Sequence, residues 1–179
     1  MRTSHRPTML PILAVLAVLA AAGLAAAGEK AAALDARAAF DKLKALEGSW
    51  VASAEAAGDQ TAAHEIRVSA AGTVVMETML AGTDHEMINM YHLDGDDLVL
   101  THYCAGGNQP TMRLDLAKAT ATELPFVFTG GTNLETADHY IHDAVLTLRD
   151  DGTVVSSWGS YSGGEEGEAI VFTLRRAEG

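Results

Sequence analysis

The 179-residue chain predicts an all-β domain, an antiparallel up-and-down barrel of about ten strands preceded by one short helix. Three observations carry this expectation. From residue 50 onward, short segments alternate apolar and polar side chains on a period of two, as half-buried strands do. Turn chemistry punctuates them at fairly regular spacing: Gly58-Asp59, Ala71-Gly72, Gly82-Thr83, Asp94-Gly95, Gly130-Gly131, Asp151-Gly152 and Gly163-Gly164. Connections this short join antiparallel neighbours, and so many strands must close or stack to hide their edges.

Taken in order, residues 1–27 read as an export signal. Arg2 and Arg6 make the basic start, Leu10 to Leu19 the apolar core, and Ala25-Ala26-Ala27 the small-residue cleavage site. An uncleaved anchor is the competing reading, since the apolar run approaches spanning length. Pro11 and the Ala/Gly-rich second half weaken it. Residues 28–33 form a tether, and 34–179 a single domain large enough to bury its own core. Leu34, Ala38, Phe40, Leu43 and Leu46 predict an amphipathic helix capped by Asp35 and ended by Glu47-Gly48.

Strands are then expected near Trp50–Glu55, His64–Ser69, Thr73–Leu80, His85–Leu93, Leu98–Cys104, Met112–Leu116, Leu124–Thr129, Tyr140–Arg149, Thr153–Tyr161 and Ala169–Arg175. On the third, Val74, Met76, Thr78 and Leu80 make the better inner face, which turns Glu77 outward. The fourth and fifth form the clearest hairpin. With Asp94-Gly95 as its turn, Tyr91 faces Leu98, Asn89 faces Leu100, Met87 faces His102 and His85 faces Cys104. One face of that hairpin carries these eight residues and no formal charge; the other carries Glu86 and Asp97, so the uncharged face belongs inside.

Charge narrows the function. Removing residues 1–27 leaves ten basic against 24 acidic side chains, a net charge of about −14. Such a surface repels nucleic acid and anionic membranes, and no basic patch offsets it. No stable membrane association is expected once the signal is cleaved. Cys104, the single cysteine, forms no intramolecular disulfide, so the exported fold must stand on its core.

The helix followed by Leu46-Glu47-Gly48-Ser49-Trp50 resembles the Gly-x-Trp opening of the calycin barrels, the lipocalins and their fatty-acid-binding and nitrobindin-like relatives. Arg175 and Arg176 extend the resemblance, which implies that a late arginine packs over the tryptophan. The stretch 34–176 also resembles bacterial exported lipocalin-like proteins of undefined function, on phrases such as HEM…YHLDGDDLVLTHYC…GNQP. Nitrobindin-like barrels hold haem through a late histidine. Here no histidine follows His142, so the resemblance hands over no haem ligand, and the sequence names no cofactor.

Three functional readings follow. In the first, the barrel holds a small, largely apolar ligand. Met87, Asn89, Tyr91, Leu100, His102 and Met112 then line the interior, with Asn108 and Gln109 in a loop at one mouth and Met76, Leu98, Trp158 and Phe172 as further wall or core. In the second, His85, Met87, His102 and Cys104 form a soft donor set for copper, zinc or haem iron, although buried Met and Cys equally pack as hydrophobes. In the third, the barrel is filled and serves as an interaction module. Arg113 reads as a surface arginine paired with Glu86 or Asp115. No nucleophile elbow, phosphate loop or HExxH helix appears, and a Cys104–His102 dyad would sit roughly 6.5–7 Å apart along one strand, so catalysis has no support in the sequence.

Overall fold

The computed structural model describes residues 34–54 and 61–178; the expected signal and tether lie outside them, as does the Gly58-Asp59 turn. Helix α1 (Ala36–Lys44) starts where expected, with the Asp35 carboxylate accepting from the Ala38 amide at 2.6 Å. Its buried stripe is Ala36, Ala39, Phe40 and Leu43, rotated from the expected one, so that Ala38 faces solvent.

The strands are β1 (Gly48–Ala54), β2 (Thr61–Ser69), β3 (Val74–Ala81), β4 (Met87–Asp94), β5 (Asp97–Tyr103), β6 (Gln109–Leu114), β7 (Glu123–Thr132), β8 (His139–Leu148), β9 (Val154–Ser162), the two-residue β10 (Glu165–Glu166) and β11 (Ile170–Arg176). β1 to β9 pair consecutively and antiparallel, and β11 slots between β9 and β1. Among the described residues, ten strands thus close an up-and-down barrel of the calycin-like kind, with β10 as a short addition to β9. Closure removes the unpaired edges that so many strands would otherwise expose. No helix among the described residues is long and apolar enough to cross a membrane.

One end is shut by α1 and by the residues of the Gly-x-Trp opening. Trp50 is buried and donates from Nε1 to the Leu46 carbonyl at 2.9 Å. The Arg176 guanidinium lies 4.2 Å from its ring centre and donates to the carbonyls of Glu47 (2.6 Å) and Ala45 (3.2 Å) at the helix end. Gly48 is required here: its φ is 137°, and a Cβ on it would collide with that guanidinium. Truncating Arg176→Ala exposes one face of Trp50 and leaves those carbonyls to water, and is expected to cost about 1–2 kcal/mol in urea unfolding. Beneath α1, between Leu43, Ile66, Val75, Tyr91 and Leu174, the free space is about 10 Å³, at the lower limit for one water. This half of the barrel is filled.

Two expectations are corrected. The β4–β5 loop is Gly95-Asp96, not Asp94-Gly95, with positive φ (61°) at Gly95 alone, as two-residue loops with glycine first require. The register moves by two, so Asn89 faces His102 and Tyr91 faces Leu100; an even shift keeps every side chain on its expected face. On β3, Val75, Glu77 and Met79 point inward, while Val74, Met76 and Thr78 are half-buried on the other side. Met76 is therefore no part of the interior wall. Glu77 tolerates the interior because donors on β2 and β4 meet it there.

Candidate functional site

A polar row crosses the barrel interior. Glu77 faces Asn89 across β3–β4, and Asn89 faces His102 across β4–β5, which brings their side chains within reach of one another. Glu77 Oε2 accepts from Asn89 Nδ2 and from the Tyr91 hydroxyl, both at 2.9 Å, and Oε1 lies 3.4 Å from His64 Nδ1. His102 Nδ1 and Asn89 Oδ1 are 2.7 Å apart. All five residues are 4% exposed or less, so these bonds form without competition from water.

Burial alone would raise the Glu77 carboxyl. The His64 contact and charge, with the bonds from Asn89 and Tyr91, outweigh it and hold the group below its ordinary value, hence ionised. Burial and the Glu77 charge push the Tyr91 phenol well above its usual value, so it remains a donor. An ionised carboxylate only accepts, so the Asn89 NH₂ must face Glu77 and its carbonyl must face His102. His102 therefore carries its proton on Nδ1, and Nε2 holds a free lone pair. Burial, partly offset by Glu77, lowers His102 to about 4, which keeps it neutral at pH 7.

The sign of the resulting pH dependence follows from linkage. Between its ordinary 6.5 and about 4, unfolded His102 binds a proton that the folded ring does not, so stability falls as pH drops through this window. The full loss is about 3 kcal/mol. Urea unfolding at pH 7 and pH 4 is expected to show it in the wild type and much less of it in His102→Leu.

His102 Nε2 has no protein hydrogen-bond partner. The ring borders a chamber of about 80 Å³ among Met79, Met87, Cys104, Trp158 and Phe172, and the Trp158 ring centre lies 5.5 Å away. The chamber shares Met87, Cys104, His139, Ile170 and Phe172 with a wider cavity of about 570 Å³ at the end of the barrel away from α1. Beside that mouth the β7–β8 ladder ends at Val127–Asp143 while both strands continue, and Phe128 stacks on His142 with ring centres 5.0 Å apart.

The expected site residues separate into groups. Asn89, Tyr91 and His102 form the buried row, and Met87 and His102 border the chamber. Leu100 and Met112 are fully buried core, like Leu98. Asn108 is buried at the mouth, donating to the His139 carbonyl at 2.9 Å. Gln109 ties its own loop, bonding Gly107, Thr132 and Asn133. Of the soft donor set, Met87, His102 and Cys104 share the chamber. His85 does not sit on β4 opposite Cys104: it lies in the preceding turn, exposed at the mouth, its amide donating to the Thr83 hydroxyl. Among the described residues, no three of His, Cys, Asp and Glu cluster to hold a metal ion. Arg113 pairs with Asp97 across the β5–β6 ladder rather than with Glu86 or Asp115.

Glu77, His64 and His139 were missed as site residues. The signal for Glu77 was its isolation as the one carboxylate in Val-Val-Met-Glu-Thr-Met-Leu, and for His64 its place in phase with Ile66 and Val68. No pattern in the sequence marked His139. The chain matches no protein-family model, and no curated protein is significantly similar to it.

Proposed function

We propose that this chain is an exported, lipocalin-like binding barrel that holds a small, largely apolar ligand at its open end, with His102 fixing the ligand's orientation. One observation carries the reading: an apolar chamber bordered by the His102 side chain continues into an open mouth. Apolar walls with a few convergent polar groups are the usual construction of small-molecule sites. The filled half beneath α1 supplies rigidity, and the buried row fixes the ring that greets the ligand. The basic-apolar-small pattern of residues 1–27 supports export, to the periplasm or beyond. Lys and Arg are missing from the buried residues among those described, and the one buried carboxylate is Glu77, so the interior favours an uncharged guest over a fatty-acid anion.

A second reading, a soft metal ion, is favoured by Met87, His102 and Cys104 bordering the same chamber. Native mass spectrometry of the purified protein, with elemental analysis of the same sample, separates the two. A bound organic mass released by solvent extraction is the expected result. Stoichiometric copper, zinc or iron would transfer the site to the metal reading. A bare protein that also takes up no apolar probe would overturn both and leave the barrel as an interaction module.

A further inference from the structure

Among the described residues, charge is sorted by the two ends of the barrel. At the open end, the β3–β4 connection carries Asp84 and Glu86, and the β7–β8 connection carries Glu135 and Asp138. The segment between β9 and β11 adds Glu165, Glu166 and Glu168, and all of these carboxylates are exposed. These connections hold no Lys or Arg, and neither does the β5–β6 connection beside them. Every described Lys and Arg lies in the other half: Arg37, Lys42 and Lys44 on α1, Arg67, Arg113 and Arg176 near strand ends that meet it, and Lys118, Arg149 and Arg175 close by. Arg113 stands four residues along β6 from Gln109, roughly 13 Å, which exceeds the screening length of about 8 Å at physiological salt. The ion pairs made by these cations, Lys44–Asp41, Arg113–Asp97 and Lys118–Asp115, also lie in the closed half, so none neutralises the mouth.

We infer that the open end takes a cationic amphiphile, a molecule with an alkyl or aryl tail and an ammonium head. This rests on the binding reading above and specifies its ligand. The tail lies in the chamber against Met79, Met87, Trp158 and Phe172, where nothing but apolar burial is required of it. The head remains in the wider cavity, which Asp138 lines and around which the other carboxylates stand. A cleft with apolar walls and charges of one sign focuses their field and concentrates the opposite ion at its entrance. The carboxylates do not converge as a metal site would, since no three of His, Cys, Asp and Glu cluster among the described residues. Their effect is a field over the mouth. A neutral chain gains only the burial of its tail, an anion of equal length is repelled, and a cation without a tail leaves the chamber unused.

Calorimetric titration of the full domain with octyltrimethylammonium, 1-octanol, octanoate and tetramethylammonium tests this. At low salt the octyl cation is expected to bind at least tenfold more tightly than octanol or tetramethylammonium, and octanoate most weakly. At about 1 M salt, where the screening length falls to about 3 Å, the gap between octyl cation and octanol should narrow to about threefold or less. Asp138→Asn combined with Glu135→Gln, both at exposed positions, should weaken the octyl cation several-fold and leave octanol unchanged. Asp96→Asn combined with Asp150→Asn removes the same charge at the closed end and should change neither. Octanol binding as tightly as the octyl cation at low salt would overturn the charge assignment while leaving the binding reading standing. So would a cation affinity unmoved by the mouth variant, or tetramethylammonium binding as tightly as its octyl counterpart. Failure of all four probes to bind would overturn both.

Discussion

Glu77→Leu is expected to lower the stability of the domain by about 3–5 kcal/mol at pH 7, an effect large enough to leave a marginal domain largely unfolded. The volume is nearly conserved and the new side chain is apolar, so a view based on hydrophobicity alone would expect a gain. The loss arises from what remains. The Asn89 NH₂ and the Tyr91 hydroxyl lose their shared acceptor, and His64 loses the carboxylate 3.4 Å from its Nδ1, all of them buried. Glu77→Gln keeps one acceptor oxygen and is expected to lose less, though its NH₂ now meets donors. The pH profile adds a signature. Because Glu77 is held below its ordinary value, its contribution is present above the unfolded value of 4.5 and is lost as pH falls through the folded one. Glu77→Gln should therefore flatten the acid limb below the window assigned to His102. Chemical unfolding of the three proteins across pH checks both the order and the shape. A Glu77→Leu domain as stable as wild type would show that the buried row contributes nothing.

Trp50→Ala is expected to cost a similar amount, about 3–5 kcal/mol, at the opposite end of the barrel. Trp50 is 2% exposed, ties its indole N–H to Leu46, and forms the floor on which Arg176 rests. Removing it opens a cavity between α1 and the closed end and frees the guanidinium that joins β11 to the helix end. Trp50→Phe retains most of the packing and loses the hydrogen bond, so its cost should be a fraction of that of the alanine variant. Because this end is filled and the mouth lies at the other, probe affinity of the folded fraction should be unchanged in Trp50→Phe. A clear change in affinity would mean that the two halves are coupled.

These contrasts show how far the sequence could be read. Period-two alternation and glycine-bearing turns made the strand count, the meander and the helix legible, because both patterns are local. The closing contact was legible too, through Gly48, Trp50 and Arg176, which meet as the resemblance implied. Within the β4–β5 hairpin, Asn89, Tyr91 and His102 were placed on the inner face even though the loop was misjudged, since a two-residue slip conserves parity. On β3 parity was no help. It groups Val75 with Glu77 and Met79, but it does not say whether that set or its neighbours face the core. That choice is made by Ile66 and Asn89 on the flanking strands, which stand opposite Glu77, and the β2–β3 register carries an irregularity between Ala63 and Glu65, beside His64. A bulge shifts every residue beyond it and leaves no reliable trace in composition. His85 was misplaced for a related reason, because the chain turns through Asp84-His85 and pairs only from Met87.

The arrangement of the buried row around His102 is open to one direct measurement: histidine side-chain ¹H–¹⁵N correlation spectra of the folded protein, recorded from pH 7 down to pH 4. His102 is expected to be neutral at pH 7 with its proton on Nδ1 and to resist protonation until the pH nears 4. A proton found on Nε2, or a ring that titrates near 6.5, would contradict the bond between His102 Nδ1 and Asn89, and with it the buried row as described.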